Sequence, residues 1–213
     1  MKDVFSYNAD INKNAKMNWR TERHNPIGSM NAIADGYFQS ALLLAKECLR
    51  NNYDKKADAV IFPMLFSVNH GIELYIKSIC WSLNILLGYK KKYKENHNIK
   101  GLWDAVKQKV KEFGFGYDHP EESFKKMTTT LELYIEELAT KIMKDNKDTA
   151  YYNIDFSRYP MNNQDDYHFY MKTYENVVID LENFVKVFTE IGDNLNCLAG
   201  YYYELVVESW QEE

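Results

Sequence analysis

The chain has 213 residues, long enough to bury a core unaided, and its 46% hydrophobic and 27% charged content is ordinary for a globular protein. Aromatics are abundant (17 Tyr, 11 Phe) and breakers few (9 Gly, 4 Pro), which favours long helices over a strand-and-turn architecture. Cys48, Cys80 and Cys197 are odd in number and far apart, which excludes a disulfide framework or a CxxC site and points to reduced thiols in a cytoplasmic protein.

The net charge of −5 is unevenly spread. Residues 1–113 carry 18 Lys/Arg and 11 Asp/Glu, while residues 114–213 carry 8 and 20. A basic and an acidic half either attract each other within one fold or meet different partners, the basic half an anionic ligand.

The first residues, MKDVFSYNADINKN, are polar and lack the apolar run of a signal peptide. Residues 1–30 read as an arm, anchored by Phe5, Tyr7 and Trp19, and residues 31–213 as a helical bundle. Ser29 or Asn31 is expected to cap a first helix over Ala32–Arg50, with Ala34, Phe38, Ala41, Leu42, Ala45 and Leu49 on one face. The central stretch, from about Ala57 to Leu87, is apolar nearly all round and belongs inside a bundle. It is interrupted by Asn69, His70, Glu73 and Lys77, which argues against a membrane span, since a span needs roughly 18 uninterrupted apolar residues. Gly88 is the stop signal.

A basic loop follows, with Lys90, Lys91, Lys92 and Lys94. It is either a solvated loop or a holder of RNA phosphates with Tyr89 and Tyr93 stacking on bases. The 3.6 period predicts a third helix over Ile99–Phe113, which His97 caps or docks, and a fourth over Glu121–Lys144. Residues 154–166 read as a non-helical connector because of Pro160 and the Asn-Asn-Gln-Asp-Asp run. From Tyr167 the helical period returns and continues through Val206. One helix of that length would overhang the domain at about 60 Å, so a bend or break is expected at Gly192–Asn196 or Gly200. The tail GYYYELVVESW is apolar enough to suggest a covered face, hence a homodimer.

No phosphate loop, zinc cluster or serine elbow is present. His70-x-x-Glu73 has metal-ligand spacing, but a di-iron bundle needs further Glu-x-x-His pairs, so no metal and no cofactor is expected. Glu73 and Lys77 read as a structural i, i+4 pair of the favourable polarity.

HGIELYIKSICW, the basic loop, HNIKGLWDAV, and FSRYP before a long last helix together resemble the HEPN superfamily, over about residues 32–190. The resemblance implies a small all-α bundle of a prokaryotic toxin–antitoxin or abortive-infection system. Many such proteins are metal-independent endoribonucleases that pair an Arg and a His across a homodimer. It therefore implies catalytic roles for Arg158 and His168, with RNA as substrate and an antitoxin or defence protein as partner. Here nine residues, Pro160 among them, lie between the two, more than the four to six of the family pattern. The alternative is a non-catalytic subunit that binds a protein or a nucleotide. In that case Arg158 pins the connector through Asp155, Asp165 or Glu73, and His168 is a cap or surface residue.

Overall fold

In the computed structural model the described residues are 2–93, 96–115, 121–143, 154–162 and 165–211. They form an all-α fold of six helices, with no strand among the described residues: α1 (Pro26–Arg50), α2 (Lys56–Leu86), α3 (Ile99–Phe113), α4 (Glu121–Met143), α5 (Phe169–Lys172) and α6 (Leu181–Gln211). Lys94, Lys144 and the Asn163-Gln164 step of the connector, all part of the sequence reading, lie outside the described residues.

α2 is the axis of the bundle. It packs against α1, α3, α6 and the short 3-10 turn Ile154–Ser157, and α4 packs on α6. Ile72, Ile76, Ile79 and Leu83 have no exposure, and each such side chain contributes on the order of 1.5–3 kcal/mol by leaving water. By length and composition α2 would also suit a membrane crossing; here it lies among the other helices. Gly88 ends it with φ +73, a left-handed conformation that only glycine adopts at no cost.

The first helix begins six residues earlier than Ala32. Asn25, rather than Ser29 or Asn31, caps it: its Oδ1 accepts from the Gly28 amide at 2.8 Å, and Pro26 takes the first turn, where its missing N–H costs nothing. Ser29 instead accepts from the Glu22 amide. Asn98 repeats the pattern on α3, accepting from the Gly101 amide at 2.9 Å. Asn98→Ala is expected to cost about 1 kcal/mol in urea unfolding, the usual worth of such a cap.

The last helix differs more. Residues 173–180 are non-helical, with a bend at Tyr174 and Glu175, and Tyr174 and Val178 are exposed rather than part of a core stripe. α6 starts only at Leu181, because the Asp180 carboxylate accepts from the Glu182 and Asn183 amides at 2.9 and 3.1 Å. It then runs unbroken through Gly192 and Gly200 for 31 residues, about 46 Å. Gly192 is a packing residue, not a break: a Cβ there would come 3.0 Å from the Phe38 ring. Within the tail, Tyr202 and Val206 are buried and Trp210 is exposed, so this chain covers one side of it. Phe113 of α3 meets the Tyr202 ring edge-on at 6.4 Å.

Candidate functional site

Phe62, Phe66, His70, Glu73, Lys77 and Trp81 recur along α2 at gaps of three and four, so they share one side of the helix. That side is where the α2–α3 loop and the connector after α4 come to lie. From one end, the Arg158 guanidinium sits over the Phe66 ring at 5.7 Å, and Phe66 stacks on His70 with centroids 5.6 Å apart. From the other end, Lys92 lies over Trp81 at 4.9 Å, Trp81 meets Tyr93 at 5.9 Å, and Lys77 lies over Tyr93 at 5.4 Å. The Asn84 side-chain amide donates to the Lys92 carbonyl at 2.7 Å and so fastens the loop to α2.

Glu73 is the centre. Its side chain is 2% exposed and receives three groups: Lys77 Nζ at 2.6 Å, His97 Nδ1 at 3.1 Å and His70 Nδ1 at 3.6 Å. The first two are hydrogen bonds; the third is a longer contact that becomes an ion pair when the imidazole carries a proton on both nitrogens. Burial pushes the Glu73 carboxyl up, but His70, Lys77 and His97 outweigh it and bring the group from 4.5 down to about 2. Glu73 is therefore an anion at neutral pH and can only accept. Nδ1 of His97 must carry the proton in that hydrogen bond, so in the ring's uncharged form the lone pair is on Nε2. The side chains of His70 and His97 are 27% and 58% exposed, so both imidazoles reach solvent while their shared carboxylate does not. Among the described residues no group of His, Cys, Asp and Glu has the arrangement of a metal site. The Lys77 ammonium already neutralises the carboxylate oxygen that a cation would seek.

The sequence reading paired Glu73 with Lys77 and assigned His97 to capping or docking α3. Asn98 is the cap, and His97 docks by its contact with Glu73 across 24 residues of chain. Nothing in the local pattern gives that contact, although HGIELYIK and HN both stand out as polar insertions beside apolar runs.

Arg158 follows the Ile154–Ser157 turn. Its guanidinium pairs with Asp155 at 3.4 Å and donates to the Tyr159 hydroxyl at 3.2 Å. A hairpin-like reversal shortens the separation from His168: the His168 amide donates to the Pro160 carbonyl at 3.0 Å, and Met161 and Tyr167 form an isolated antiparallel bridge. The two backbones thus come close despite nine intervening residues. The side chains have different ring partners, Phe66 and Tyr159 for Arg158 and Tyr170 for His168, but share Asp155 as a charged neighbour. His168 stacks on Tyr170 at 6.2 Å, and its Nε2 is buried with no hydrogen-bond partner. Burial, partly offset by Asp155, holds its imidazole below the ordinary value, so the ring is neutral at pH 7. It precedes α5 without capping it, and it lies well before α6.

Lys90, Lys91 and Lys92 are exposed at the far end of α2 from Arg158. Tyr89 donates to the Glu112 carboxylate and lies under Lys109 at 4.6 Å. Comparison with known proteins identifies no relative: no family model, no curated protein and no solved structure matches the chain.

Proposed function

We propose that this chain is a HEPN-like, metal-independent endoribonuclease that acts as a toxin or anti-phage effector, with His70 and His97 as its proton-transfer groups. The observation that carries the reading is two solvent-reaching imidazoles held by one buried carboxylate. One histidine takes the proton from a ribose 2′-hydroxyl as that oxygen attacks phosphorus. The other gives a proton to the departing 5′-oxygen, so the products carry a cyclic phosphate and a 5′-hydroxyl. Glu73 fixes the tautomer and stabilises the imidazolium. Arg158 supplies positive charge to the phosphoryl oxygens. The cation-and-aromatic row ending in Trp81 and Lys92 suits single-stranded RNA, with phosphates on lysines and bases on rings. The role in defence and a homodimeric state rest on the HEPN resemblance.

A specific observation favours the alternative, a non-catalytic binding subunit. Arg158 is already engaged by Asp155, and the His168 Nε2 is buried, so that Arg–His pair is not poised for chemistry.

The two readings separate in cells. Wild type, His70→Ala, His97→Ala, Arg158→Ala and His168→Ala are induced in bacteria, and total RNA is examined for new ends. Wild type is expected to cut RNA. Each of His70→Ala and His97→Ala is expected to cut on the order of 100-fold less or lower still, the usual worth of an acid–base group. Loss with His168→Ala and full cutting by both α2-side variants would return the chemistry to the connector. No cutting by wild type, with or without phage infection, would favour the binding subunit.

A further inference from the structure

A cleft lies at the opposite end of α2 from the lysine loop. It sits between the start of α2 and the segment leading into α6 and has a volume of about 570 Å³, within the range of small-molecule sites. Its walls are Phe62 and Leu65 from α2, Phe156 from the 3-10 turn, Phe169 from α5 and Val178 from the non-helical segment before α6. Two charged residues, Lys55 and Asp58, stand on its rim. Neither side chain has an ion pair or hydrogen bond among the described residues, although ion pairs are common elsewhere on this surface. Lys55 is also one of only two non-glycine residues among those described with positive φ, at φ 57 and ψ 29. An L-residue pays energy to adopt that conformation, and here it stands at the mouth of an apolar cleft.

We propose that this cleft binds a small amphipathic molecule. Its aromatic or branched apolar body fills the pocket, an anionic group meets Lys55, and an adjacent N–H or O–H donates to Asp58. The apolar walls supply the affinity, and the two unpaired charges fix the orientation. A purely apolar ligand would leave both charges unused, and a dianion would face Asp58.

Anilinonaphthalene sulfonate has these three parts: fused aromatic rings, a sulfonate and an N–H. Titrating it into the full chain, with stoichiometry from equilibrium dialysis, tests the site. Lys55→Gln removes the anion's partner and Val178→Trp fills the cleft from an exposed position, so both variants are expected to keep the wild-type circular dichroism. One probe molecule per chain is expected to bind the wild type. Binding is expected to weaken about tenfold or more in Lys55→Gln, the loss of one charge-assisted contact, and to be abolished in Val178→Trp. Absence of saturable one-to-one binding, or wild-type affinity in either variant, overturns the site. RNA cleavage plays no part in this readout.

Discussion

Replacing Glu73 with alanine is expected to lower the unfolding free energy by about 3–5 kcal/mol, the range for removing one partner of a buried ion pair. The reason is the group left behind. Lys77 is 11% exposed and its ammonium sits 2.6 Å from Glu73 Oε1; without the carboxylate, a charge stays buried among the apolar residues of α2. Removing both partners in Glu73→Leu/Lys77→Met is expected to recover most of the loss, because the desolvation cost disappears with the charges. The pH dependence follows the same group. The Glu73 carboxyl titrates near 2 in the fold against 4.5 when unfolded, so its stabilisation is complete above about pH 4.5 and is lost as pH falls towards 2. Urea unfolding at pH 7 and pH 3 measures both effects. The wild type should lose more stability over that interval than the double variant. A Glu73→Ala cost under about 1 kcal/mol would show that the cluster does not hold the fold.

The second large effect is at the crossing of α1, α2 and α6. Phe38 is 3% exposed and fits between two glycines. A Cβ on Gly71 would lie 2.8 Å from the ring and 3.2 Å from the Ala34 carbonyl, and one on Gly192 would lie 3.0 Å from the ring. Phe38→Ala is expected to cost about 3–5 kcal/mol, as for other aromatic truncations in a close-packed core. Gly192→Ala is expected to be destabilising alone, by about 1–3 kcal/mol, through overpacking. In the Phe38→Ala background its cost should shrink towards zero, since the three atoms nearest that Cβ all belong to the Phe38 ring. Chemical denaturation of the four proteins in a double-mutant cycle reads this directly. Additive costs would mean that Gly192 matters for a reason other than the ring.

These glycines show why part of the fold was legible and part was not. α2, α3 and α4 carry strong apolar stripes between clear stop signals, and their boundaries fall within one or two residues of the expected ones. Gly192 was read as a helix breaker because a sequence does not display the ring that a missing Cβ admits. The segment from Tyr167 to Asp180 keeps a helical spacing of apolar residues, yet the Asp180 side chain satisfies the first amides of α6 and fixes its start there. At the site, Glu73 and Lys77 were legible because they stand four positions apart on one helix. His97 was not, because its partner lies on another helix, 24 positions earlier in the chain. Arg158 stood out by type and position; the ring that receives it, Phe66, is 92 residues earlier in the chain.

The most direct measurement is cleavage of single-stranded RNA by the purified chain in the presence of a chelator, with analysis of the product ends, beside His97→Ala. The expected result is RNA cut to cyclic-phosphate and 5′-hydroxyl ends by the wild type, unaffected by the chelator and reduced on the order of 100-fold or more in His97→Ala. Intact RNA, cutting that stops when metal is removed, or equal cutting by His97→Ala would contradict a nuclease centred on Glu73.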